Sequence, residues 1–360
     1  NSTGDLLWAR SLGGNDNEYG TSLALDINGN VIISGYFSGT IDCDPGAGTY
    51  PLTSAGQFDA LVCKLSSTGN FVWAKSFGGT GNDIPISISS EPLTGNIYLT
   101  GYFNGTVDFN PGTGTFNMVS AGSEDIFASK LDALGNFIWS KRMGGSGSDR
   151  SYAIQPMDGG NVYMSGYYNS TADFDPGTSI CNLTSAGLSD GFICKLDAAG
   201  DFVWAKSFGG TGTDAANNLI LDNDGNPFIV GYFSSIADFD PNAGIHNLTS
   251  GGSYDVFTAK VSSAGNLVWV TQFEGPGDDL PSGIALDNTG NVYTTGEFSS
   301  TTDFESGSGI TSFTAIGGSD IFICRSDTNG TLIWATTYGG NFSDYGQAIA
   351  IGNDNSILSS

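Results

Sequence analysis

The chain has 360 residues, 54 of them glycine, and a net charge of −26 with only 11 Lys and Arg. That charge repels nucleic acid and anionic membrane surfaces. No run of about 18 apolar residues is present to cross a bilayer as a helix. Charged residues are scarce and apolar ones frequent enough to fill a core, so disorder is not expected despite the glycine.

The chain opens with GDLLWARSLGG, a truncated copy of a motif that recurs throughout. Fuller copies are KLSSTGNFVWAKSFGG from Lys64, KLDALGNFIWSKRMGG from Lys130 and KLDAAGDFVWAKSFGG from Lys195. Looser ones start at Lys260 and Arg325. The six tryptophans, Trp8, Trp73, Trp139, Trp204, Trp269 and Trp334, are six copies of one position, spaced 65, 66, 65, 65 and 65 residues apart. A strict internal period points to a repeat architecture.

Each period carries four short strand signals. In the second full copy these are Ile86 to Ser89, Ile97 to Phe103, Asp125 to Leu131 and Phe137 to Met143. A turn, Leu93 to Asn96, separates the first two, and a long loop, VDFNPGTGTFNMVSAG, separates the next two. Tight D-x-x-G-N turns such as Asp26/Gly29/Asn30 supply a side chain that bonds its own backbone and a glycine for the positive φ. Helical periodicity is absent. The expected fold is all-β, a β-propeller of four-stranded antiparallel blades with a period of about 65 residues. Six blades fit best, with seven the alternative.

Residues 1–360 read as one propeller domain, with blades at 15–79, 80–145, 146–210, 211–275 and 276–340 and a partial blade at 341–360. Residues 1–14, with Leu6 to Leu12 as the strand, are expected to complete the C-terminal blade. The tryptophans are expected to wedge between blades, with Arg10, Lys75, Lys141 and Lys206 beside them. The five cysteines, Cys43, Cys63, Cys181, Cys194 and Cys324, are expected as free thiols, mostly buried. No signal peptide opens the chain and Asn1 is not an initiator, so a piece of a larger multidomain chain is expected.

Strand parity places the long loops and the GGxGxD connections on one face. Twenty of the 37 acids fall there, at three recurring positions. The loops begin with Asp42/Asp44, Asp108/Asn110, Asp173/Asp175, Asp238/Asp240 and Asp303/Glu305. A D-x-D/N pair followed by Pro-Gly offers hard oxygen donors, so these ten residues are candidate Ca²⁺ ligands. The competing expectation is that each first acid caps a turn through backbone N–H groups. The loop face is also a candidate surface for a protein or a glycan. Tyr36, Tyr102, Tyr167 and Tyr232 recur beside it. No catalytic constellation is visible. The paired carboxylates repeat in every blade, whereas a catalytic site should break the symmetry, and the one histidine, His246, has no partners at metal spacing.

DFDPG, LTSAG, GNFVWAKSFGG and the GNVYxxGYF pattern resemble the bacterial SBBP repeats, β-propeller repeats of secreted and cell-surface proteins. The resemblance runs through the whole chain. It implies an extracellular or cell-surface protein, often of the Bacteroidetes group, and carries no single activity. The family name refers to seven blades, from which a count of six departs. A weaker similarity, Gly69 four residues before Trp73, links the motif to the tryptophan-docking repeat of quinoprotein propellers, with no basis for a quinone cofactor. The expected function is a non-enzymatic, rigid, acidic platform for adhesion or assembly, with a carbohydrate-binding or carbohydrate-active propeller as the alternative.

Overall fold

The computed structural model describes residues 5–307, 309–352, 354 and 356–360. Every regular element among them is a β-strand. Two compact units are formed, Asn1–Met164 with Thr171–Asn182 and Lys195–Val203, and Ser165–Ser170 with Leu183–Cys194 and Trp204–Ser360. The division falls inside the third repeat.

In the first unit, Glu18–Leu25, Val31–Phe37, Asp59–Leu65 and Phe71–Gly79 lie in one sheet in chain order. The second repeat does the same with Asp83–Ser90, Ile97–Phe103, Asp125–Leu131 and Phe137–Gly145. In the second unit the meanders are Ala215–Leu221, Pro227–Phe233, Asp255–Val261 and Leu267–Gln272, then Asp279–Leu286, Val292–Asp303, Ser312–Ser326 and Leu332–Tyr338. Antiparallel meanders of this kind, repeated without helices, are consistent with a propeller.

The expected long loop is a correction. It folds into a hairpin, Thr106–Asp108 against Asn117–Val119. That hairpin leaves its own repeat and pairs with the end of the preceding fourth strand, Val107 opposite Gly79 and Asp108 opposite Gly78. The register explains the Gly-Gly ending. A Cβ on Gly79 would sit 2.1 Å from the Thr106 carbonyl oxygen, and one on Gly78 would sit 2.2 Å from the Asp59 carboxyl carbon. No side chain fits either place. The first hairpin, Thr40–Asp42 with Pro51–Thr53, pairs with Gly13–Gly14 in the same manner.

A second correction concerns the N-terminus. Residues 5–12 carry no strand, and the first strand is Gly13–Gly14 alone. The reason is topological. Third strands occur five times, so this sixth copy of the fourth strand has no third strand in its own repeat to pair with. Residues 1–4 of the expected strand lie outside the described residues. Near the other end, Ile349–Ile351 pairs with Ile357–Ser359 as the first two strands of a sixth repeat.

The cores lie between consecutive repeats. One gathers Ile32 and Val62 of the first repeat with Leu99, Phe103 and Phe127 of the second. Another gathers Phe228, Val230 and Val256 with Phe298 and Phe322. The third strands Asp59–Leu65 and Asp125–Leu131 are therefore buried on both faces. A single repeat cannot cover its own apolar surface, and stacking does it.

The tryptophans close these junctions. The indole of each copy lies on the turn glycine of the next: Trp8 on Gly69, Trp73 on Gly135, Trp139 on Gly200, Trp204 on Gly265 and Trp269 on Gly330. A Cβ on Gly200 would sit 3.0 Å from the Trp139 ring, and that glycine has φ 78°. The turn and the close approach both require glycine. In four of these five copies the indole N–H donates to a carbonyl two residues before the glycine, Ser67 at 3.0 Å, Ala198 at 3.2 Å, Ser263 at 3.2 Å and Thr328 at 3.0 Å, while the Trp73 N–H is buried without a partner. Arg10 donates to the Gly69 carbonyl at 2.9 Å, and the Lys141 stem lies along Gly200. Trp8 docks in this way although its segment forms no strand.

Trp139→Ala removes a nearly buried indole and leaves a void at a junction. It should lower the free energy of unfolding by about 3–5 kcal/mol, measured by urea denaturation, while Val203→Ala, at an exposed strand position, should change it little.

Candidate functional site

The first acid of every long loop has one job. Asp42 Oδ1 accepts the N–H of Asp44 at 3.0 Å and of Tyr50 at 2.8 Å, pinning both ends of an eight-residue loop. Asp108 does this with Asn110 and Phe116, Asp173 with Asp175 and Cys181, Asp238 with Asp240 and His246, and Asp303 with Glu305 and Thr311. The two N–H bonds hold the Asp42 carboxyl below the usual range. The second acid caps the next turn: Asp44 accepts from Gly46, Asn110 from Gly112, Asp175 from Gly177 and Asp240 from Asn242. Glu305, the longest of the five, instead accepts from the Thr311 hydroxyl at 2.8 Å.

These ten residues are thus committed to backbone and hydroxyl donors. Among the described residues no three His, Cys, Asp or Glu side chains come together as a metal site. Calcium takes six to eight oxygens, backbone carbonyls among them.

The other two acid positions behave differently. The loop end and the connection after the fourth strand meet in short parallel bridges, Phe58 with Asn82, Glu124 with Ser148, Ser189 with Thr213 and Tyr254 with Asp278. The acids that follow are brought together and buried: Asp59 with Asp83, Asp125 with Asp149, Asp190 with Asp214, and Asp255 with Asp279. They are not displayed on the loop face, where the sequence reading put them. Burial raises Asp83, Asp214 and Asp279 to about 7, and Asp190 and Asp255 to about 6, despite backbone hydrogen bonds that favour the charged form. Asp59 is raised for the same reason. The sequence signal was a constant separation of 24 residues within each pair.

On the opposite side of each repeat, the short turns carry paired charge. Asp26 Oδ2 contacts Lys64 Nζ at 2.8 Å, Asp222 contacts Lys260 at 3.2 Å and Asp287 contacts Arg325 at 3.2 Å. Asp26 is lowered to about 2: Lys64 and the Asn30 and Asn28 donors outweigh its desolvation, which is the largest single cause and acts the other way. Lys64 Nζ also reaches the Ala133 carbonyl of the next repeat's turn at 3.2 Å. These groups fasten the scaffold.

One surface able to receive a ligand is a groove beside the second repeat, open and about 440 Å³ in volume. Its floor is the fourth strand, Phe137 to Arg142, one wall is the hairpin arm at Phe116 and Met118, and the other wall is the next repeat's loop at Asp173, Asp175 and Pro176. Phe116 and Phe137 lie 5.0 Å apart, centroid to centroid. The two rings, Lys141 and the loop carboxylates border this space, and the guanidinium of Arg142 is held by buried Asp125 at 2.6 Å. A groove of about 360 Å³ recurs in the second unit between Leu248, Val270 and Glu305, without the rings or the cations. The tyrosines beside the loops pack on neighbours instead: Tyr36 stacks on Tyr19 at 4.8 Å, Tyr102 takes the Arg150 guanidinium over its ring at 4.2 Å, and Tyr232 meets Tyr254 edge-on at 5.2 Å.

Residues 268–305 match the family of the SBBP β-propeller repeat. This segment is an SBBP repeat. The matched segment is one period of the chain, and the other periods repeat its tryptophan, its turn glycine and its loop acids. The whole chain is also similar to larger proteins. An uncharacterised WD repeat-containing protein of Acanthamoeba polyphaga mimivirus is 24% identical, over 99% of this chain and 30% of its own length. The regulatory protein FlaEY of Caulobacter vibrioides is 25% identical, over 84% of this chain and 32% of its own length. The chain therefore spans about a third of these relatives.

Two outcomes follow for the long loops. Thermal melts in excess Ca²⁺ and in chelator should coincide, and a rise with Ca²⁺ would restore the loops as cation sites. Asp108→Ala unpins a loop and leaves two N–H groups without their acceptor, which should cost about 1–3 kcal/mol in urea denaturation.

Proposed function

We propose that this chain is a non-enzymatic binding platform, a β-propeller of six repeats that holds a partner in the groove of its second repeat. The groove carries this reading: the scaffold is repetitive, and there it departs from repetition. Phe116, Phe137 and Lys141 bring an apolar face and a cation against the loop acids Asp173 and Asp175, while the neighbouring Arg142 is held by Asp125. Comparable fourth-strand positions in the other repeats hold Ser76, Ser207 and Gln272 where this one has Arg142. A site of rings beside mixed charge suits a glycan, whose apolar ring faces stack and whose hydroxyls bond to carboxylates, or a peptide segment with both charges.

The resemblance to secreted and surface propellers supports placement outside the cell, in adhesion or assembly, within a longer chain. The WD-repeat name of one relative agrees with a scaffold that does no chemistry. A six-repeat ring is supported by the six tryptophans and by the first two strands of a sixth repeat at Ile349–Ile351 and Ile357–Ser359. Small-angle scattering should then give the compact distance distribution of a closed ring, and an elongated one would count against closure.

A glycan and peptide array probed with the purified chain tests the binding role. Phe116→Ala should weaken the strongest hit by roughly tenfold with the melting temperature nearly unchanged. Binding that survives both this change and Lys141→Ala places the partner elsewhere.

A further inference from the structure

The buried aspartate pairs have no place in the binding role, and their geometry is unusual. Within a pair, each carboxylate has one oxygen fixed by an N–H four residues earlier, Asp59 Oδ2 by Ala55 at 2.9 Å and Asp83 Oδ2 by Gly79 at 2.7 Å. The other oxygens, Oδ1 of Asp59 and Oδ1 of Asp83, are buried without a hydrogen-bond partner. The Gly56 and Asn104 amides lie near enough to favour the charged form but fall outside hydrogen-bond geometry. Oδ1 of Asp125, Asp255 and Asp320 is orphaned in the same way. Both members of a pair crowd the first glycine of the fourth-strand corner. A Cβ on Gly209 would sit 2.8 Å from the Asp190 carboxyl carbon and 2.8 Å from Asp214 Oδ2, and one on Gly144 would sit 2.8 Å from Asp125 and 3.0 Å from Asp149.

Two buried carboxylates this close do not both stay ionised without a positive charge between or beside them. One repeat supplies it covalently. Arg142 Nη1 contacts Asp125 Oδ2 at 2.6 Å. The equivalent residues Ser76, Ser207 and Gln272 carry no charge. Around Asp190 and Asp214 the facing polar and titratable groups are Ser207, Ser234 and Tyr232; around Asp255 and Asp279 they are Ser250, Thr302, Glu274 and Asp278. None is a cation. Two carboxylates also fall short of a calcium donor set, and among the described residues no three His, Cys, Asp or Glu side chains gather as a metal site.

We propose that each of these aspartate pairs holds one proton between its carboxyls, that Arg142 takes the proton's place in the second repeat, and that the junctions of the fold therefore tighten in weak acid and loosen at alkaline pH. In the Asp59–Asp83 pair the protonated carboxyl donates and its neighbour's orphan oxygen accepts, which answers the missing partners; in the Asp190–Asp214 pair the Ala186, Gly210 and Ser234 N–H groups already reach the oxygens, and the shared proton adds a bond between them. The sign follows from linkage. Groups at about 7 in the folded chain, against 3.8 for the free side chain, bind protons more tightly when folded. Their stabilising contribution is full below the unfolded value and is lost as pH rises through the folded one.

The test is the melting temperature of the full chain from pH 5 to pH 8.5, in chelator and in high salt. Salt screens the general repulsion of a chain at −26 but not a buried pair. The expected result is a melting temperature that falls across that range. Asp214→Asn, neutral at every pH, should flatten the dependence and raise the melting temperature at pH 8.5, while the exposed control Asp224→Asn should do neither. Arg142→Ser should steepen it by giving the second repeat the uncharged residue of the others. This second variant keeps the proposal open to refutation if Asp214→Asn fails to fold. A melting temperature that is flat or rises with pH overturns the proposal, as does an unchanged slope in Asp214→Asn or Arg142→Ser. A slope that vanishes on adding Ca²⁺ at pH 8.5 also overturns it, by assigning the pairs to a metal ion.

Discussion

One contact joins consecutive repeats within each unit: a tryptophan ring lying on the turn glycine of the following repeat. A four-stranded antiparallel unit has two apolar faces and cannot cover both. Trp139 and its counterparts reach about 60 residues forward in sequence and seal the seam. The contact is specific because it needs three things together. The ring supplies area, the indole N–H finds the Ala198 carbonyl, and Gly200 has both the positive φ and the bare surface on which a ring can lie. The burial in each seam is worth about 2–3 kcal/mol, and the chain repeats it at every junction from Trp8 to Trp269.

Around this seam the residues divide their work by position. The short turns carry Asp26, Asp222 and Asp287 with their basic partners, which hold the two turns of a repeat together. The opposite ends carry hairpins that cross to the preceding fourth strand and lock it through the Gly-Gly corner. Hydrogen bonding, not apolar burial, organises that second lock. It runs through the single Oδ1 of Asp42 and its four equivalents, each gripping two amides. A rigid rim results, and the groove at Phe116 and Lys141 is set into it.

The period, the four strands and the role of tryptophan were legible in the sequence, because a 65-residue repetition exposes every structural position six times over. The hairpin in the long loop was not. Thr106–Asp108 and Asn117–Val119 are three residues each, too short for an alternation signal, and they form because Gly78 and Gly79 of another repeat offer an edge. The acids show the same limit. Their recurrence was visible, but the sequence does not say which carboxylates face solvent. The D-x-D/N loops were open to two readings, of which the backbone capping is present in all five. Asp83 and Asp214 read as display charge and lie fully buried. The N-terminal segment failed for a different reason: its pattern is that of a fourth strand, and the third strand that would pair with it within a repeat is absent.

The most direct test of the seam is hydrogen exchange on Trp139→Ala. The predicted result is a loss of protection in the turn of the next repeat, 197–201, whose glycine carries the ring, with the tryptophan's own turn at 132–136 retaining its protection. Loss confined to 132–140, with 197–201 unaffected, would mean that the repeats hold together without the ring, and would contradict the account.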